Sequence, residues 1–67
     1  MQLENDGRDA RLREFELAER WRTSTRTLQR WRRDGTGPAW LLIGGRVLYR
    51  LQDILAFEAA ARREGKA

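Results

Sequence analysis

The sequence predicts a mostly α-helical domain with one small β-hairpin, in the order helix, turn, helix, hairpin, helix. Three observations carry that expectation. Apolar residues recur at helical spacing in two stretches separated by a short polar connector, and again near the end of the chain. Gly35-Thr36-Gly37-Pro38 then breaks the helical pattern. Finally, Trp40 to Ile43 and Val47 to Arg50 are short runs of β-favouring residues around Gly44-Gly45.

Residues Met1 to Arg8 mix Asn, Asp, Gly and Glu with little apolar content, so residues 1–8 are expected to form a flexible arm ahead of a folded domain at 9–63, with a flexible tail at 64–67. From Asp9, a suitable N-cap, the positions Leu12, Phe15, Leu17, Ala18 and Trp21 follow helical spacing and predict a first helix ending near Trp21. Arg22 and Thr23 make the connector. Ser24 offers its hydroxyl to the free amides of the next turn, and the second helix runs to about Asp34, where Gly35 suits the left-handed position that ends a helix. In the hairpin, a three-residue loop from Gly44 to Arg46 puts Leu41, Ile43, Val47 and Tyr49 on one inward face, whereas a two-residue Gly-Gly turn pairs Leu42 with Val47. The first register is preferred because it buries Ile43, Val47 and Tyr49 together. Leu51, Ile54, Leu55 and Phe57 begin a third helix that reaches about Arg63, with Arg62 and Arg63 near its negative end. The predicted order is that of a winged helix-turn-helix.

At 67 residues the chain is one domain at most, and a chain of this size buries only roughly 60% of the surface its unfolded form exposes. Without cysteine or histidine it has no disulfide framework and lacks the usual transition-metal ligands, so no metal or cofactor is expected. No apolar run approaches the roughly 18 residues that span a bilayer, and the start Met-Gln-Leu-Glu-Asn-Asp lacks the regions of a signal peptide. A protein of the bacterial cytoplasm, in a bacterial or viral setting and associated with the nucleoid, is expected, with no membrane partner.

The net charge of +4 is unevenly placed. Thirteen of the 14 basic residues are arginine, and Arg20, Arg22, Arg26, Arg30, Arg32 and Arg33 fall in the stretch 20–33, which contains no acidic side chain. On a wheel of about 100° per residue, Leu28 and Trp31 share one side of the second helix. Arg26, Arg30 and Arg33 cluster opposite, with Gln29 at the edge. An apolar stripe backed by planar multi-donor side chains suits a DNA major groove, where Arg forks onto guanine and Gln onto adenine.

Other residue types have simpler explanations. Trp21 and Trp31 fall on apolar faces and read as core, while strand parity leaves Trp40 open; stacking on single-stranded nucleic acid requires exposed aromatics. The Gly44-Gly45 pair between two strands reads as a turn, not a phosphate loop. Ser24 and Tyr49 are residue types that serve recombinases as nucleophiles, but Ser24 sits at a cap and no base stands in sequence context to activate either. No catalytic residue is assigned, and the chain is not expected to be an enzyme.

Leu17-Ala18-Glu19, the connector ending at Ser24, Arg26-Thr27-Leu28 with Arg30-Trp31, Asp34-Gly35, Pro38, Ile43-Gly44-Gly45-Arg46-Val47, Tyr49-Arg50 and Asp53 occur in an order that resembles the excisionase or AlpA-type branch of MerR-like winged helix-turn-helix proteins. The resemblance covers roughly Leu12 to Phe57. Members of that family are small phage and mobile-element proteins that bind repeated double-stranded DNA sites, either directing an integrase toward excision or regulating promoters. The resemblance implies that Ser24, Thr25, Arg26, Gln29, Arg30 and Arg33 meet the major groove. It also implies that Arg46, at the hairpin tip, reaches a phosphate or the adjacent minor groove, with Arg50 nearer the hairpin base.

The sequence departs from the family pattern where Arg22 stands for the usual glycine and Thr23 for valine. A non-glycine residue in a left-handed connector costs about 1 kcal/mol. Leu42 and Leu48 stand where many relatives carry basic residues; in the preferred register they lie together on the outer face, and with Trp40 they form a candidate protein contact for head-to-tail copies on DNA or for an integrase. Two alternatives remain at this level: the DNA-recognition domain of a phage small terminase subunit, and a protein-interaction adaptor that uses the wing.

Overall fold

Three helices and a three-stranded antiparallel sheet form the structure, a computed structural model that describes residues 10–65. In chain order these are β1 (Arg11–Arg13), α1 (Glu14–Trp21), α2 (Thr25–Asp34), β2 (Leu41–Ile43), β3 (Arg46–Arg50) and α3 (Leu51–Ala61), and the sheet order is β1-β3-β2. The expected mostly helical order with a hairpin wing is present. The expected arm at 1–8, the proposed cap Asp9, and residues 66 and 67 of the expected tail lie outside the described residues.

The first helix starts later than its spacing predicts. Arg11 to Arg13 form a strand paired with β3 through Arg11–Arg50, Leu12–Tyr49 and Arg13–Leu48. Leu12 and Phe15 are three apart, which imitates a helical face, but Leu12 reaches the core by strand alternation instead. The physical reason is the free edge of β3: a lone two-stranded hairpin is marginal in water, and a third strand satisfies that edge. Helix α1 is then capped from Arg13, whose backbone N–H donates to Glu16 Oε1 at 2.7 Å, one half of a capping box.

At the far end of α1, Arg22 adopts φ 56° and ψ 45°, the one non-glycine residue with positive φ among the described residues. Its N–H donates to the Glu19 carbonyl at 3.1 Å and that of Thr23 to the Ala18 carbonyl at 2.9 Å, the pair of bonds that closes a Schellman motif. The turn keeps the backbone geometry in which glycine is usual and carries the strain of an arginine there. Ser24 caps α2 as expected, its Oγ accepting from the Thr27 N–H at 3.1 Å, and Gly35 ends α2 at φ 77°.

The hairpin register differs from the preferred one. Leu41 pairs with Leu48, Leu42 with Val47 and Ile43 with Arg46, so the loop is the two-residue Gly44-Gly45 turn. Both glycines have positive φ, 61° and 76°, as the type I′ turn requires, and that turn matches the twist of the flanking strands. Turn geometry therefore outweighs the burial of Ile43, which is 53% exposed. Leu42 now shares the face of Val47 and Tyr49, whereas Leu48 lies on the other face with Leu41 and Ile43. The expected outward pairing of Leu42 with Leu48 is thus absent, because a one-residue change of register moves side chains to the opposite face.

Leu17, Ala18, Leu28, Tyr49 and Ile54 are the buried core, with Leu12, Trp21, Trp31, Val47 and Leu51 packed against it. Trp21, Trp31 and Phe57 bring one ring from each helix into a triangle, with centroids 5.3 to 6.3 Å apart; each tilted pair adds about 0.5–1.5 kcal/mol beyond the area it buries. The core reading of Trp21 and Trp31 holds. Gly37, at φ 85°, lies against this cluster, since a Cβ there would stand 3.0 Å from the Trp31 ring. Among the described residues no helix is long and apolar enough to cross a membrane.

Glu58 fastens α3 to the end of α1. Its carboxylate accepts from Arg20 Nε at 2.7 Å, Arg20 Nη2 at 3.0 Å and Trp21 Nε1 at 2.6 Å. These bonds, Arg20's first and Trp21's next, hold the Glu58 pKa down at about 2 against an ordinary 4.5. A depressed carboxylate stabilises the fold fully above its unfolded value and loses that contribution as pH falls through the folded value. The wild-type protein is therefore expected to lose stability between pH 4.5 and about 2. The Glu58→Gln variant, compared by urea unfolding at about pH 6 and about pH 3, should show a smaller drop; an equal drop in both proteins would assign acid sensitivity to other groups.

Candidate nucleic-acid interface

Partners and backbone position sort the arginines of the basic run. Leu28 is 1% exposed and Trp31 half-buried, which fixes the rotation of α2 about its axis. Arg26, Gln29, Arg30 and Arg33 consequently emerge on its exposed side, at the i, i+3 and i+4 spacings that make one helical face. Arg26 and Arg30 have no ion pair or hydrogen bond among the described residues, and Arg33 has only a long, exposed approach to Asp34 at 3.9 Å. Cations stacked this way repel one another in the free protein, and a row of phosphates removes the repulsion.

The other three arginines of the run do structural work. Arg20 holds Glu58, Arg22 occupies the left-handed turn, and Arg32 turns inward to Glu14. Sequence reasoning misses the role of Arg32, although a signal exists: at i+4 from Leu28 it lies beside the apolar stripe and not on the polar face. Its Nη1 donates to Glu14 Oε2 and to the Tyr49 hydroxyl, the latter at 3.1 Å, and its guanidinium lies 5.5 Å from the Trp40 ring centroid. Tyr49 Oη in turn donates to Glu14 Oε2 at 3.4 Å, and Gln29 Nε2 to Glu14 Oε1 at 3.3 Å. One carboxylate thereby links the start of α1, two positions on α2, and β3.

The remaining expected contacts fall at defined places. Ser24 is committed to the cap, where its Oγ also lies 3.1 Å from Thr27 Oγ1. Thr25 opens α2 and, with Gln29, forms one wall of a groove of about 420 Å³ whose facing wall is Gly45 and Arg46 of the wing tip. Arg46 is exposed opposite Ile43. Arg50 lies apart from it at the β3–α3 junction, paired across to Arg11 in β1 and held by Asp53 at 3.0 Å. The structure thus brings Thr25, Gln29 and Arg46 together around one groove and leaves Arg50 outside it. For the expected protein contact, Trp40 and Leu42 are exposed but Leu42 and Leu48 do not share a face. Among the described residues no three His, Cys, Asp or Glu side chains converge as a metal site would need.

In a comparison with known families, the family model described as a helix-turn-helix domain matches residues 12–62. No curated protein and no solved structure matches the chain.

The Glu14–Arg32 link is tested by a double-mutant cycle of Glu14→Ala, Arg32→Ala and the pair. Both side chains are largely buried, at 17% and 19% exposure, so each single change strands a charge. The expected coupling is about 1–2 kcal/mol by denaturant unfolding. Simple additivity would mean the two side chains contribute independently.

Proposed function

The chain belongs to the helix-turn-helix domain family, and from that premise we propose that it binds double-stranded DNA sequence-specifically, with α2 in the major groove and the wing tip on the adjacent backbone or minor groove. The observation that carries this reading is the exposed face of Arg26, Gln29, Arg30 and Arg33 on a helix held by its opposite side. Such a face has the donors to fork onto base edges and the charge to hold phosphates. We propose further that the protein acts as a small excisionase or AlpA-type regulator of a phage or mobile element, on repeated sites and without enzymatic activity. An integrase, or head-to-tail copies of the chain, would be its protein partners. Footprinting on the DNA that neighbours its own coding sequence tests the assignment, since the number and orientation of half-sites distinguish a monomer, a dimer and a row of copies.

Two expectations follow for the contacts. Alanine at a base-reading position among Arg26, Gln29, Arg30 and Arg33 should cost about 1–3 kcal/mol and relax preference at one base pair, whereas alanine at a phosphate contact should weaken all sequences alike. Wild-type affinity in all four variants would remove α2 from the groove. At the wing, Arg46→Ala should lower the magnitude of the log–log salt slope by about 0.9, one phosphate contact. Arg50→Ala should change it less, because Asp53 already engages that guanidinium. Equal slopes for wild type and Arg46→Ala would place the wing tip off the DNA.

A further inference from the structure

The groove between α2 and the wing tip has a third wall, made by Arg13 and Phe15 from the junction of β1 and α1. Phe15 follows helical spacing in the sequence and would be counted as core, yet it is 56% exposed. Among the described residues no aromatic ring packs against it, whereas the other exposed aromatic, Trp40, has Arg32 over its face. A bare phenyl ring beside two arginines on a protein of this size is a surface that a partner would cover.

We propose that this junction is a third DNA-contacting element, in which Arg13 binds a phosphate and Phe15 packs on the sugar of the same strand as it passes between α2 and the wing tip. The inference rests on the DNA-binding reading above. Charge complementarity selects the occupant. Arg13 and Arg46 come from the neighbouring strands β1 and β3, and Thr25, at the positive end of the α2 dipole, borders the same space. Glu14, the acidic residue that also lines the groove, already accepts from Arg32, Tyr49 and Gln29, so its charge is compensated from within the protein. A nucleic-acid backbone alternates anionic phosphates with apolar sugar faces, and a groove lined by one phenyl ring and two arginines carries both matching chemistries. The placement depends on β1: a helix beginning at Asp9 would leave Arg13 mid-helix, whereas here the strand pairing Arg13 with Leu48 seats it beside the wing.

The test compares Phe15→Ala, Arg13→Ala and Arg30→Ala on the footprinted duplex by fluorescence anisotropy across a salt series, with thermal unfolding of each free protein. Phe15→Ala should weaken binding about fivefold or more through lost apolar contact while leaving the salt slope unchanged, since it removes no charge. Arg13→Ala should weaken binding and lower the slope by about one phosphate contact. A duplex carrying a neutral methylphosphonate at the phosphate that Arg13 grips should bind Arg13→Ala and wild type with equal affinity, and a scan of such duplexes locates that phosphate. Both side chains are exposed, so thermal unfolding should match wild type. A fall in melting temperature that accounts for the affinity loss would show a structural role and overturn the proposal. Wild-type affinity in Phe15→Ala and Arg13→Ala alongside weakened Arg30→Ala would overturn the third wall and leave DNA binding standing. Wild-type affinity in all three, together with the remaining α2 variants, would remove both α2 and this groove from the DNA, whereas failure of the wild-type protein to protect or bind any duplex would overturn the DNA reading itself.

Discussion

The carboxylate of Glu14 is the constraint on which the arrangement of the exposed arginine face depends. It stands at the first position of α1 and accepts from Arg32 and Gln29 of α2 and from the Tyr49 hydroxyl of β3. Helix α2 and the hairpin therefore hold their relation to one another through one anion as well as through the apolar core. A buried ion pair is poor value for stability alone, because desolvation offsets much of the attraction and an apolar replacement of similar volume often does as well. What the pair does contribute is direction. A guanidinium and a carboxylate meet in few geometries, so Arg32 reinforces the roll of α2 that the burial of Leu28 and Trp31 sets, and with it the direction of Arg26, Arg30 and Arg33.

The basic run consequently has two functions that composition cannot separate. Arg20 and Arg32 neutralise Glu58 and Glu14, and each joins elements far apart in sequence. Arg26, Arg30 and Arg33 remain on the exposed side of α2 with no strong partner of their own. Glu14, the carboxylate that lines the groove, is compensated within the protein by Arg32, and Asp53, farther off, by Arg50. The local surplus of positive charge therefore comes from how the charges are paired, more than from a net charge of +4.

Local rules made the helical part legible. The Ser24 cap, the Gly35 stop and the burial of Leu28 each depend on neighbours within about one turn, so the boundaries of α2 could be read directly. The sheet was less legible because its determinants are non-local or conflicting. Strand β1 has three residues and one inward side chain, too short for alternation to be distinguished from the start of a helix. In the hairpin, the burial of Ile43 argued for one register and turn geometry for another, and two adjacent positive-φ glycines decided it. For the site, the exposed arginines followed from the wheel, but the Glu14 network joins residues 15 to 35 positions apart and leaves no periodic trace. The groove wall at Arg13 and Phe15 was hidden for the same reason, since it exists only once β1 has paired.

Function and stability are linked by the economy of this fold. The buried core cluster has only five residues among those described, Arg22 carries left-handed strain, and the cations on α2 repel one another. Each of these lowers the stability of the free domain, and one of them, the repulsion, is relieved by a bound polyanion. A ligand that binds only the folded state adds RT ln(1 + [L]/Kd), roughly 2.7 kcal/mol at a hundredfold excess over Kd. That is a large share of what a domain with so small a core can hold, since whole domains are stable by only about 5–15 kcal/mol. The arginine face is thus unfavourable for the protein alone, and a polyanion bound there would relieve that cost.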